Sequence, residues 1–110
     1  PASLFTTTVT QAEVLYGVAV LPNGERKRAL SDAVRGLFDE EFRGRVLPFD
    51  SAAVAAFAQI SSVRRRAGRP MGQLDAQIAA IARSRGAALA TRSVRDFGGC
   101  GIRVVNPWSD

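Results

Sequence analysis

Residues 72–82 have the sequence Gly-Gln-Leu-Asp-Ala-Gln-Ile-Ala-Ala-Ile-Ala, in which a single acid, Asp75, precedes a run of mostly small and apolar side chains. Ile78, Ile81 and Ala82 recur at helical spacing, so the stretch predicts a buried helix. Asp75 falls in the first turn of that helix, where a carboxylate interacts favourably with the helix dipole. For an isolated acid this structural role is the simpler interpretation. A role in a functional site therefore depends on other acids in similar settings.

The sequence on either side of this helix predicts short strands that alternate with pairs of helices. The predicted strands span residues 3–7, 45–49, 87–91 and 102–105, and the predicted helices span 9–20, 25–42, 52–67 and 73–85. Thr8 or Thr10 is the expected N-cap of the first helix, and Asp50 or Ser51 that of the third. Helical crossovers between short apolar strands favour an α/β sandwich with a parallel sheet. A chain of 110 residues is long enough for one domain and too short for two.

The composition excludes several kinds of chemistry. The chain contains no histidine and one cysteine, Cys100, which excludes Ser-His-Asp and Cys-His mechanisms, an internal disulfide and a zinc-site pattern. Hydrolysis would therefore depend on carboxylates, a hydroxyl, the thiol, or a metal bound by oxygen, for which Mg²⁺ and Mn²⁺ are favoured. No apolar run approaches the roughly 18 residues of a membrane span, and no secretion signal is visible. We therefore expect a cytoplasmic protein with no membrane partner.

The basic residues favour a polyanionic partner. The net charge is +5, and 14 of the 15 basic residues are arginine, which grips phosphate through two parallel hydrogen bonds. An arginine-rich codon composition in the source organism would give the same enrichment, so the number of arginines alone does not show that the partner is a polyanion. The run Arg64, Arg65 and Arg66 at the end of the third helix is predicted to be solvated and to complement the helix dipole.

Three acids stand apart from the other seven. Five lie in the arginine-bearing second helix, Asp50 is an expected cap and Asp110 is terminal, which leaves Glu13, Asp75 and Asp96 beside apolar sequence at element boundaries. Glu13 follows the first predicted strand, and Asp75 and Asp96 flank the third, so the three acids converge at one end of the sheet if these two strands are neighbours. Clustered carboxylates repel one another unless a divalent cation neutralises them. The structural alternatives are that Glu13 completes a capping box with Thr10 and that Asp96 is a turn acid.

Four motifs occur in a characteristic order. They are residues 6–17 (Thr-Thr-Thr-Val-Thr-Gln-Ala-Glu-Val-Leu-Tyr-Gly), residues 73–82, residues 89–97 (Leu-Ala-Thr-Arg-Ser-Val-Arg-Asp-Phe) and residues 105–108 (Val-Asn-Pro-Trp). Together they resemble the PIN-domain ribonuclease toxins of bacterial toxin–antitoxin modules, of the VapC type and its FitB-like branch. The resemblance covers essentially the whole chain and implies a three-layer PIN-like α/β domain.

The resemblance also implies an activity and a set of site residues. It implies a Mg²⁺- or Mn²⁺-dependent endoribonuclease that cuts structured RNA, often transfer RNA. Glu13 matches the family's second acid and Asp75 its third, while the fourth position falls either on Ser93, directly after Thr-Arg, or on Asp96. Glu13, Asp75 and Asp96 are thus the expected metal ligands and catalytic residues, and Arg92 and Ser93 the expected substrate-binding residues. The implied partners are a cognate antitoxin that occludes the acidic pocket, a second toxin copy, and operator DNA through the antitoxin only.

One part of the family pattern has no match. The family's first acid lies in an N-terminal strand resembling Leu-Asp-Thr-Asn, so we expect that the first strand–helix unit is missing and that this chain alone is inactive or severely weakened. Robust metal-dependent RNA cleavage by the chain would contradict that expectation. The alternative function is a non-catalytic module that binds nucleic acid or an antitoxin, or a structural subunit of an antitoxin–operator complex. Convergence of Glu13, Asp75 and Asp96 would distinguish the enzyme from these alternatives.

Overall fold

The computed structural model describes residues 5–90 and 94–105. Its elements follow in the order β1 (Thr6–Thr7), α1 (Thr8–Ala19), α2 (Glu25–Gly36), β2 (Val46–Leu47), α3 (Ser51–Arg66), α4 (Gln73–Ser84), β3 (Leu89–Ala90) and β4 (Val104–Val105). A π-helical turn, Leu37–Glu41, follows α2, and a 3₁₀ turn, Val94–Phe97, lies between β3 and β4. The predicted order of strands and helices is confirmed. In the described part of the chain no helix is both long enough and apolar enough to cross a bilayer.

The chain divides into two compact units, Pro1–Pro48 and Phe49–Asp110. In the first unit β1 and β2 pair in parallel, with Thr6 opposite Val46 and Thr7 opposite Leu47. Among the residues of this unit that the structure describes, the buried apolar ones are Val9 of α1, Val34 of α2 and Phe38 of the π-helical turn.

Two boundaries in the first unit differ from the predictions. The N-cap of α1 is Thr7, which has an extended backbone and whose hydroxyl oxygen accepts a hydrogen bond from the Thr10 amide at 3.0 Å. Thr8 and Thr10 already lie within the helix. The predicted caps Thr8 and Thr10 are therefore wrong. Regular α-helical geometry in the second helix ends at Gly36, whereas the predicted end is Phe42. The residues that follow form a π-helical turn, in which the Phe42 amide donates to the Leu37 carbonyl five residues back, at 2.9 Å.

The second unit has a parallel pair of its own, packed with two helices. β3 and β4 pair in parallel, with Leu89 opposite Val104. α3 packs against α4, and the contact is dense because the buried positions of α4 are mostly alanine. The fully or almost fully buried residues of the two helices are Ala53, Ile60, Ala76, Ala79, Ala80 and Ile81.

The ends of these helices follow their sequence signals. The Asp50 carboxylate accepts a hydrogen bond from the Ala53 amide at 3.1 Å and caps α3, which confirms one of its two predicted caps. α3 and α4 both end with a glycine in the left-handed conformation, Gly68 at φ 74° and Gly86 at φ 63°. In each case amides of the turn donate to carbonyls of the last helical turn, as in a Schellman motif. Arg85 then pairs with Asp50 at 3.0 Å and joins the end of α4 to the start of α3.

Candidate active site

Asp75 is the third residue of α4, and buried residues follow it along the helix at positions 76 and 79–82. The N-cap of α4 is Gly72, which has no side chain that could accept from the first-turn amides. Asp75 lies in this first turn, so its carboxylate is near the positive end of the helix dipole. Its side chain is exposed, whereas Ala76, Ala79 and Ala80 are 0–1% exposed. The packing of these alanines against α3 fixes the backbone from which Asp75 projects.

Asp96 lies in the 3₁₀ turn Val94–Phe97, as predicted for a turn acid. Its side chain is exposed, while the next residue, Phe97, is only 6% exposed. The backbone carbonyl of Asp96 accepts a hydrogen bond from Arg64 Nη1 at 2.9 Å. The backbone of this turn is thus anchored, and the carboxylate remains available to solvent.

Glu13 lies on α1 in the other unit, with an exposed side chain. Because the N-cap is Thr7, the capping-box position three residues later is Thr10, and Glu13 lies one turn further along the helix. The capping-box interpretation of Glu13 is therefore wrong, and this structural role no longer accounts for the acid.

The structure brings Asp75 and Asp96 into one unit and leaves Glu13 in the other. Taken unit by unit, the described residues contain no group of three acidic or cysteine side chains arranged to hold a metal ion. None of the three carboxylates forms an ion pair with a described basic side chain, whereas Asp32 and Asp50 pair with Arg35 and Arg85. Exposed carboxylates that form no ion pair with a described basic side chain fit the oxygen-ligand chemistry of Mg²⁺ and Mn²⁺. Arg92 and Ser93, the predicted substrate-binding residues, lie outside the described residues.

Arg64 is the residue near the candidate site that the sequence analysis misassigned. It was predicted to be a solvated charge, but it is 7% exposed and hydrogen-bonds to the turn that carries Asp96. Arg65 and Arg66 are exposed, as predicted. The signal was present in the helical spacing, because Arg64 continues the buried stripe of α3 that contains Ala53 and Ile60.

Comparisons with known proteins identify the family. The family model described as PIN domain matches residues 2–95. Toxin FitB of Neisseria gonorrhoeae is 36% identical over 107 residues, covering 97% of this chain and 77% of that protein. VapC ribonuclease Y4jK of Sinorhizobium fredii is 33% identical over 106 residues, covering 96% of this chain and 76% of that protein.

A solved structure agrees with these relatives. The structure of FitAB bound to an IR36 DNA fragment aligns with a TM-score of 0.92 at 34% identity, covering 98% of this chain and 76% of that one. The predicted PIN-like α/β fold and the predicted FitB-like branch are thereby confirmed. The chain belongs to the PIN-domain family, on the branch that contains the FitB and VapC toxins.

Proposed function

We propose that this chain is the toxin component of a toxin–antitoxin module, and that it contributes acidic residues to a Mg²⁺- or Mn²⁺-dependent site that hydrolyses RNA phosphodiester bonds in the cytoplasm. The observation that carries the proposal is the exposed carboxylate of Asp75 on the first turn of a helix that the buried residues Ala76, Ala79 and Ala80 anchor. Such a residue is rigidly placed and free of a structural ion pair among the described side chains. The similarity to a toxin and to a ribonuclease over nearly the whole chain supports the same activity.

Glu13, Asp75 and Asp96 would hold the metal through their carboxylate oxygens. A bound divalent cation would lower the pKa of a water molecule and polarise the phosphodiester. The chain has no histidine, so the proton-transfer role that histidine has in other ribonucleases falls to carboxylates or solvent. Of the three acids, Asp75 projects from a packed helix and Asp96 from a turn with an anchored backbone, so both present their oxygens from ordered positions.

The proposed substrate is structured RNA, with transfer RNA as the first to test, bound in part by Arg92 and Ser93. The proposed protein partners are a cognate antitoxin and a second copy of the chain, and operator DNA would be reached through the antitoxin. Large apolar side chains exposed on α1 and at its C-cap support a protein partner: Leu15 is 49%, Tyr16 71% and the C-cap Val20 59% exposed. Leu15 also lines a groove of about 310 Å³ in the first unit, beside Val34 and Phe38.

The test is the response of metal binding and RNA cleavage to single carboxylate changes. Asp75→Asn and Glu13→Gln preserve size while removing charge, and we expect each to weaken Mn²⁺ binding by roughly 10- to 100-fold and to reduce cleavage of a transfer-RNA pool at least as much. Asp32→Asn is the matched control, because Asp32 is an exposed acid on α2 that already pairs with Arg35. Calorimetric titration with Mn²⁺ and gel analysis of RNA, each with and without EDTA, measure the two effects.

A second candidate function is a non-catalytic module that binds nucleic acid or an antitoxin. It is favoured by the observation that neither unit alone, in its described residues, gathers three acids. This candidate predicts that Asp75→Asn leaves Mn²⁺ titration unchanged and that RNA is bound without being cut. Cleavage that persists in EDTA, or an Asp75→Asn variant as active as the Asp32→Asn control, would contradict the metal-dependent enzyme.

A further inference from the structure

The Arg64 guanidinium is a buried charge whose described partners are backbone carbonyls rather than a carboxylate. Nε donates to the Arg69 carbonyl at 2.7 Å, and Nη1 donates to the Asp96 and Gly98 carbonyls, each at 2.9 Å. Nη1 also lies 3.7 Å from the Cys100 sulfur, and Cys100 is 1% exposed. Burying a guanidinium is unfavourable unless its donors are satisfied, so the groups that accept from Arg64 are strongly constrained in position.

Arg64 is itself fixed by the end of its helix. Its carbonyl accepts from the Arg69 amide at 2.9 Å while its Nε donates to the Arg69 carbonyl, so residues 64 and 69 are joined by two hydrogen bonds across the Schellman turn at Gly68. The guanidinium therefore projects from a rigid helix end. Any segment bonded to it acquires a fixed position relative to α3.

The segment bonded to it is the turn that carries Asp96. The two carbonyls that accept from Arg64 Nη1 lie on either side of Phe97, whose side chain is buried at 6% exposure. The Nη1 nitrogen therefore holds the backbone both before and after Phe97. Arg69 Nη2 adds a hydrogen bond to the Arg95 carbonyl at 3.3 Å. The Asp96 side chain, in contrast, is exposed. The backbone of the turn is thus fixed on its inner side while the carboxylate faces solvent.

From this arrangement we infer that Arg64 is the positioning residue for the Asp96 carboxylate in the metal site. The inference rests on the proposed function, in which Asp96 is a metal ligand. Arg64 touches neither metal nor RNA in this role; it fixes the backbone from which the ligand projects. Lysine would keep the charge but present its donors from one atom, so it would not reproduce the separate Nε and Nη1 bonds.

The experiment compares Arg64→Met, Arg64→Lys and the matched control Arg65→Met, which removes the same charge from an exposed position one residue along α3. Hydrogen–deuterium exchange measures the order of residues 95–101 without metal, and Mn²⁺ titration measures the site. We expect Arg64→Met to accelerate exchange in this segment and to weaken Mn²⁺ binding about tenfold. Arg64→Lys is expected to fall between wild type and Arg64→Met, and Arg65→Met to match wild type.

A double-mutant cycle separates positioning from general destabilisation. Asp96→Asn removes the group that Arg64 is inferred to position, so the double variant Arg64→Met/Asp96→Asn should bind Mn²⁺ no more weakly than Asp96→Asn alone. Additive losses would overturn the inference, as would unchanged exchange and unchanged Mn²⁺ affinity in Arg64→Met and Arg64→Lys. If Arg64→Met does not fold, the hydrogen–deuterium exchange and the Mn²⁺ affinity of Arg64→Lys test the inference instead.

The same titrations distinguish failure of this inference from failure of the proposed function. If Asp75→Asn and Asp96→Asn weaken Mn²⁺ binding but neither Arg64 variant does, only the positioning role is lost. If neither Asp75→Asn nor Asp96→Asn changes Mn²⁺ affinity, the metal site is absent and the inference is overturned together with the proposed function.

Discussion

At the scale of single residues, Asp50 makes stability depend on pH. The hydrogen bond from the Ala53 amide, and then the nearby Arg85 guanidinium, hold the pKa of the Asp50 carboxyl below its usual range, against an opposing effect of desolvation. Because the folded-state pKa is lowered, the stabilisation is present above the unfolded-state pKa of about 3.9 and is lost as the pH falls through the folded-state value.

Asp50→Asn is the variant that isolates this charge, since asparagine keeps a cap acceptor. We expect its melting temperature to lie below that of wild type at pH 7 and to converge with it as the pH falls through the lowered folded-state pKa of Asp50. Asp32→Asn is the control, because the Arg35–Asp32 pair is highly exposed and weak at 3.4 Å. A wild-type advantage that stays constant as the pH falls from 7 through that pKa would show that the carboxylate charge is not its source.

The residues that the sequence failed to assign are those whose role depends on distant backbone. Thr8 and Thr10 are no better cap candidates than Thr7 by side-chain chemistry, and the pairing of Thr7 with Leu47 decides that the strand ends at Thr7. Three adjacent arginines at positions 64–66 are equivalent as charges; the helical phase singles out Arg64, but the Asp96 and Gly98 carbonyls that accept from it are distant in the sequence. The predicted acid Asp75 required no such information, because a first-turn position is a local property.

At the scale of elements, the ends of the helices predict opposite effects for two glycines. Gly68 has φ 74° and open space around its Cα, so Gly68→Ala introduces backbone strain without a clash, and we expect a loss of about 1 kcal/mol or more in the free energy of unfolding. Gly36 has helical angles and equally open surroundings, so Gly36→Ala should add roughly 0.5–1 kcal/mol. Urea unfolding measures both changes in the free energy of unfolding. Changes of the same sign in the two variants would contradict the left-handed conformation of Gly68 or the helical conformation of Gly36.

The contact between α3 and α4 predicts a second pair of effects. Ile81 is 0% exposed among alanines, so Ile81→Ala leaves a cavity that small neighbours do not fill, and we expect a loss of about 2–5 kcal/mol in the free energy of unfolding. Leu74 lies on the same helix and is 48% exposed, so Leu74→Ala is the control, with an expected loss of about 1 kcal/mol or less. Similar losses in urea unfolding would mean that α4 does not bury the face containing Ile81.

At the scale of the whole molecule, the order of elements could be predicted from local periodicity, and the parallel orientation of the strands from the helical crossovers between them. The extent of the strands could not: each is two residues long in the structure, because its length depends on how many backbone groups the partner strand pairs. Convergence of Glu13 with Asp75 and Asp96 relates residues of two different units, so it stays a prediction that metal titration of the three variants addresses.

The net charge of +5 leads to a prediction for RNA binding. Arg26 and Arg28 are exposed in the first turns of α2, where positive charge is unfavourable next to the helix dipole. Lys27, between them, donates to the Ala19 carbonyl and the Asn23 side chain at 2.9 and 3.3 Å, so its ammonium group has partners within the unit. Exposed positive charges at this position would interact favourably with a polyanion such as the proposed RNA substrate.

We therefore expect Arg26→Gln and Arg28→Gln each to weaken RNA binding and to reduce the slope of log K against log salt by about 0.7 for the phosphate contact removed. The same changes should slightly raise the melting temperature, because they relieve the unfavourable interaction with the helix dipole. Arg35→Gln, in the last turn of α2 and paired with Asp32, is the control and should leave the slope unchanged. Filter binding between 50 and 200 mM salt measures the slope. A reduction as large in Arg35→Gln as in Arg26→Gln would mean that net charge, rather than the start of α2, determines binding.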